Sequence, residues 1–205
     1  MTNEQIRESG LRELAKISPK NRDTDKFKSR LMEYKFNNAD PDDGYIWLAD
    51  ILALGAMNSG NFGVGCVLTD VNGNVVVRGH NEVFNPYFRS DRHGEMVVMD
   101  EFEDAHQNIL NLEGFTLYTS LESCPMCLIR LITSGVSRVL HAAPDIEGGM
   151  VHKMKNLPQF WIDLVEGQVY SQAECSQELI NIANEIFLYN ADELKEKLKN
   201  RKAPG

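Results

Sequence analysis

Two short stretches constrain this chain more than anything else in it: His93-Gly94-Glu95, and Ser123-Cys124-Pro125-Met126-Cys127 about one strand-helix-strand unit further on. Glu95 is two residues from His93, and inside a regular helix that offset points two side chains roughly 200° apart at the ~3.6-residue period. For both to face one point, His93 must stand at a helix start, where the backbone is not yet helical and Gly94 eases the turn. Cys124 and Cys127 have the i, i+3 spacing that shares a helix face. Pro125 suits the first helical position, so both thiols belong to a helix N-terminus, where the macrodipole and free N–H groups favour thiolate. A fold that unites the two stretches must therefore bring two helix N-termini together.

One imidazole and two thiolates suit a borderline-soft ion, and three protein ligands leave a fourth position for water, the pattern of a catalytic zinc site. Taken singly, each piece has blander readings. His-x-Glu occurs often by chance. Cys-x-x-Cys can be half of a structural zinc site, a redox pair or simply buried. No second Cys pair completes a four-thiolate site, because Cys66 and Cys175 are isolated. A thioredoxin-like pair leaves His93 and Glu95 unexplained. The combination carries the argument: His93, Cys124 and Cys127 as ligands of one zinc ion per chain, with Glu95 as a nearby carboxylate free for proton transfer.

These residues resemble the zinc-dependent cytidine deaminase superfamily, whose signature is H-x-E followed by P-C-x-x-C. Leu121 to Cys127 is similar to the Leu-Glu-Pro-Cys-x-Met-Cys stretch of guanine deaminases and tRNA adenosine deaminases, and the likeness runs from about residue 43 to 170. Ser123 stands where the family usually has Pro; this removes a rigid φ but offers a hydroxyl as a helix N-cap. The resemblance implies a cytidine-deaminase-like fold, a homodimer, and hydrolytic release of ammonia with Glu95 as proton shuttle. By the same resemblance the Gly65-Cys66-Val67 strand and Asn81 border the site. Asn81 offers a donor and an acceptor to a base or ribose, against the blander reading of a turn-capping Asn.

Around this unit, the 205 residues predict one domain with a charged helical extension over 1–40, a deaminase domain over 41–205, and C-terminal helices from about 173. No apolar run is long enough for a signal peptide or membrane span. Four cysteines, two of them committed to metal, point to a reducing cytoplasm. Ile6, Leu11, Leu14 and Ile17 predict a short amphipathic helix ended by Ser18-Pro19. The charged stretch 20–35 reads as a solvated helix or arm, or alternatively as a contact for a partner subunit or phosphate. Asp40-Pro41 starts a helix to about Asn58 with an apolar face. The runs 62–69 and 75–80 flank Asn72-Gly73, a type I′ hairpin signal. In the following connection Phe84, Tyr87 and Phe88 sit at the pocket mouth, where a ring can stack on a base or simply pack the loop down.

Helices from Glu95 and Cys124 alternate with strands at 115–120 and 136–142, as crossover connections between parallel strands. A loop over 143–157, a helix near 159–166, a short edge strand and helices to about Lys199 complete the chain. His106 reads as an exposed helix-end residue rather than a fourth ligand, the three-ligand set being complete, and His141 and His152, with no motif around them, read as structural. The basic residues Lys195, Lys197, Lys199, Arg201 and Lys202 suit a helix C-terminus. The expectation is a three-layer α/β/α fold with a mixed five-stranded sheet. Its expected substrate is a small guanine- or cytosine-type nucleobase or nucleoside. The alternatives are a tRNA adenosine-to-inosine deaminase, disfavoured by the net charge of −9, and a non-catalytic zinc-stabilised scaffold.

Overall fold

In the computed structural model, residues 1–37 and 39–201 are described. The elements run α1 (Asn3–Lys16), α2 (Arg22–Glu33), α3 (Asp43–Asn58), β1 (Gly65–Thr69), β2 (Val75–His80), α4 (Gly94–Ala105), β3 (Thr116–Leu121), α5 (Pro125–Ser134), β4 (Arg138–Ala143), a 3₁₀ turn (Val151–Asn156), α6 (Gln159–Leu164), β5 (Val169–Gln172) and α7 (Gln177–Lys199). Lys202 of the expected basic end lies outside the described residues.

The sheet order is β2-β1-β3-β4-β5. β1 is antiparallel to both β2 and β3, while β3, β4 and β5 are parallel. Every residue of β3 is buried, as expected of a parallel strand covered on both faces. Gly65 and Cys66, consecutive in β1, show the two layers of helices. A Cβ on Gly65 would stand 2.2 Å from the Ala49 carbonyl oxygen of α3, whereas Cys66 Sγ meets Gly94 of α4 on the other face. α7 lies against α3, α5 adjoins α4, and α6 adjoins α5.

Three expectations change at this level. α3 is buried nearly all round rather than along one stripe, because the sheet, α1, α2 and α7 all pack on it. The hairpin is not type I′: Gly73 has φ 73° but no non-glycine residue among the described residues, Asn72 included, has positive φ, and type I′ needs both central residues there. Asp70 closes the turn instead, its carbonyl accepting from Gly73 N and its side chain from Asn72 N and Asn74 N. The stretch 20–35 is no solvated arm, since α2 buries Phe27 and Leu31 in the common core with Ile6 and Leu14 of α1. Arg7 of α1 braces this corner by donating to the Tyr34 and Met32 carbonyls.

Candidate metal and deamination site

His93 is the N-cap of α4, with extended backbone (φ −70°, ψ 157°), and Cys124 is the N-cap of α5 (φ −72°, ψ 169°), followed by Pro125. The strands β2 and β3 aim these two helix N-termini at one another. The ligand atoms of His93, Cys124 and Cys127 all lie within 4.8 Å of one another, with Cys124 Sγ 3.5 Å from His93 Nδ1. Cys127 is fully buried, and Glu95 is 4% exposed.

The charges at this point are strongly coupled. A hydrogen bond from the Cys127 thiol, helped by His93, brings the Cys124 pKa down to about 4, so Cys124 is the thiolate of the pair. That same bond, with burial, pushes Cys127 well up. Burial opposes a charged imidazole at His93, yet the hydrogen bond and charge of Cys124 leave its pKa raised. Burial raises Glu95, and the Cys124 thiolate adds to the shift. The set suits a dication: positive charge placed among the three donors relieves the thiolate, and neutral imidazole is the ligating form.

A cavity of about 200 Å³ opens beside these residues, with Asn81, His93, Glu95, Glu122 and Cys124 on its polar side and Phe62, Phe187 and Leu198 among its apolar walls.

Residues 42–143 match the model of the "cytidine and deoxycytidylate deaminase zinc-binding region". The chain carries the zinc-binding region of the cytidine and deoxycytidylate deaminases. Three donors with one open position are what a zinc site of that family requires, and these donors fit it. Over 104 residues, 51% of this chain and 63% of the relative, it is 39% identical to a tRNA-specific adenosine deaminase of Bacillus subtilis (strain 168). The chain thus spans less than two thirds of that relative. Among solved structures, one from work on A-to-I editing by tRNA:A34 deaminases at the wobble position aligns with a TM-score of 0.58 at 25% identity, covering 69% of this chain and 97% of the other. A guanine deaminase from Nitrosomonas europaea aligns at 0.55 and 18% identity, covering 78% and 91%, and shows the shared fold.

Within this deaminase region, Asn81 is 2% exposed, lines the cavity, and accepts from Val83 N at 3.1 Å. The structure places Phe84, Tyr87 and Phe88 outside the cavity lining. Phe84 packs on Phe62, which does line it, and Phe88 packs on Phe84. Tyr87 is 63% exposed. The connecting loop folds outward over α7, where Lys197 and Arg201 lie over the Phe84 and Phe88 rings. Ser123 does not cap α5; its hydroxyl is buried without a hydrogen-bond partner. Of the loop 143–157, Asp145 and Gly148 reach the cavity, and its latter part forms the 3₁₀ turn.

Two features escaped the sequence. Glu122 anchors the loop after β4, its carboxylate accepting from Asp145 N (3.0 Å), His152 N (2.9 Å) and His152 Nδ1 (2.7 Å). Burial opposes its ionisation, but these bonds outweigh it and hold its pKa below the usual value. The signal was present in its adjacency to the cysteine stretch. The other is α7, whose Phe187, Lys195 and Leu198 close one side of the cavity, reaching the site from far along the chain.

Proposed function

We propose that this chain is a zinc-dependent hydrolase that removes the exocyclic amino group of a nucleobase as ammonia. The observation that supports it best is the position of Glu95: a buried carboxyl, not needed as a ligand, on the wall of the cavity that His93 and Cys124 also line. In this reading His93, Cys124 and Cys127 hold the ion. Zinc bound there supplies Lewis acidity that brings the pKa of water from 15.7 to about 7. Glu95 accepts the water proton as oxygen adds to the amino-bearing ring carbon. It passes that proton to a ring nitrogen, then takes the second proton from the newly added hydroxyl as the carbonyl forms and delivers it to the departing amine. Burial raises the Glu95 pKa, the direction that suits a carboxyl which must give a proton as well as take one. Asn81 orients the ring through its amide, and Phe62 and Phe187 exclude water from its faces.

The substrate we favour is a free guanine- or cytosine-type base or its nucleoside. The cavity is smaller than the ~300–1,000 Å³ of pockets for drug-sized ligands. The basic groups near its mouth are already engaged: Lys195 with Glu147 at 2.7 Å, Lys197 with Phe84, Arg201 with Phe88. The net charge of −9 also opposes a polyanion. The second reading, deamination of adenosine in tRNA, is favoured by the 39% identity to the B. subtilis enzyme. A homodimer belongs to the proposal, with exposed Met126 on α5 and Phe160 and Leu164 on α6 offering an apolar face.

Ammonia release over free bases, nucleosides and tRNA, measured across ionic strength, separates the readings. A free-base reaction should change less than about 2-fold between 50 and 200 mM salt, whereas an enzyme making 6–10 phosphate contacts loses about 10³–10⁵ in affinity. Turnover confined to tRNA and steeply salt-dependent would replace the first reading with the second.

A further inference from the structure

Behind the metal site, on the side away from the cavity, five charged residues form one connected network. Arg92, the residue before His93, donates to Glu82 Oε2 through Nε (3.2 Å) and Nη2 (2.8 Å), and through Nη1 to Asp100 Oδ2 (3.0 Å). The other oxygen of Asp100 accepts from Arg130 Nη1 at 2.5 Å, and Arg130 Nη2 reaches Glu103 at 2.7 Å. The backbone joins in, Glu82 N donating to the Arg92 carbonyl at 2.9 Å.

Each piece of chain tied by this network carries one part of the site. Glu82 follows Asn81, Arg92 precedes His93, and Arg130 stands one turn beyond Cys127 on α5. Asp100 and Glu103 lie on the α4 face that looks toward α5. α4 and α5 touch each other little, α4 being held mainly by β1 and β2, and their N-termini present like partial charges to one point. The ion pairs of Arg130 span the gap between these two helices. The two guanidiniums, only 22% exposed, meet one carboxylate, one on each oxygen. Their planar forks fix direction as well as distance. An exposed pair such as Arg12–Glu8, with side chains 64% and 70% exposed, has no such constraint.

We infer that Asp100, with Arg92 and Arg130, is a positioning residue: it clamps the two ligand-bearing helices at the separation at which His93 and the two cysteines share one ion. The inference rests on the reading that these three residues hold zinc. The network touches neither cavity nor ligand atoms, so it acts through where the ligands stand.

The test is zinc release from the purified zinc-loaded protein into excess chelator. Partners behind metal ligands typically contribute 10–100-fold to affinity, so Asp100→Asn should release zinc at least about 10-fold faster. Asp100→Glu, which keeps both bonds possible, should recover most of that loss. Arg130→Lys, which keeps the charge and loses the fork, is the milder arm should Asp100→Asn fail to fold; it should release zinc about 3-fold faster or more. Arg12→Gln should match the wild type. The thermal midpoint of the zinc-free proteins is measured alongside, since a merely structural role would lower that midpoint in Asp100→Asn or Arg130→Lys with release unchanged. Wild-type release from Arg130→Lys and any folded Asp100→Asn overturns the clamp. His93→Ala is the reference: if it keeps zinc as the wild type does, the ligand reading fails and the clamp with it.

Discussion

His93 and Glu95 face one cavity because His93 is still extended while Glu95 is in the first turn of α4. The same device places Cys124 ahead of Cys127 at α5. Ser123 is the residue at which this arrangement is least settled. Its hydroxyl is completely buried and lies close enough to Glu95 to moderate that carboxyl's pKa, yet it falls outside hydrogen-bond geometry with any partner. An unsatisfied buried polar group costs about 1–3 kcal/mol. Ser123→Ala should therefore leave stability unchanged or raise it by about 1 kcal/mol in denaturant unfolding, with zinc retained. A loss of more than about 1 kcal/mol would show that the hydroxyl has a partner in solution.

At the scale of elements, α3 carries the cost that its position imposes. Asp50 is wholly buried in it, with neither carboxylate oxygen hydrogen-bonded, and burial, aided by the negative charge of Asp43, holds its pKa well above the usual value. A pKa raised in the folded state means that the native protein holds this proton more tightly than the unfolded chain. The stability tied to it is fully present below the unfolded pKa of about 3.9 and is lost as pH rises through the folded pKa. Asp50→Asn has no proton to lose. Its stability relative to the wild type should improve by about 1 kcal/mol or more from acid to neutral pH, the scale of one unsatisfied buried group. Parallel pH profiles in urea unfolding would contradict this. The sequence displayed α3 as an element, through Asp40-Pro41 and its apolar repeat, but not its burial on all sides, which depends on helices distant in sequence. The ligand helices were legible to the residue because His-x-Glu and Cys-Pro-x-Cys each work only at a helix start. Phe84, Tyr87 and Phe88 left stacking on a base and packing of the loop both open, because an aromatic ring in a loop gives no sign of which way the loop folds; Phe84 and Phe88 pack. Phe62 and Phe187, which do line the cavity, read simply as strand and helix core.

For the whole molecule, the frame includes the first two helices. Ile6, Leu14, Phe27 and Leu31 are each at least nine-tenths buried against α3 or one another. At about 1.5–3 kcal/mol each, their loss approaches the 5–15 kcal/mol that holds a typical domain together. Deleting residues 1–33 should abolish cooperative unfolding, as read by thermal denaturation; a truncated chain with an unchanged midpoint would show these helices to be an appendage. No helix among the described residues is long and apolar enough to cross a membrane. The most direct measurement of the central claim is ammonia release by the zinc-loaded protein and by its Glu95→Gln variant, over free bases, nucleosides and tRNA. General acid–base catalysis contributes about 10²–10⁴-fold, so the variant should keep one zinc per chain and lose at least about 100-fold in turnover on the base that the wild type deaminates. Equal turnover by the two proteins, or no ammonia from any substrate with zinc in place, would contradict the account.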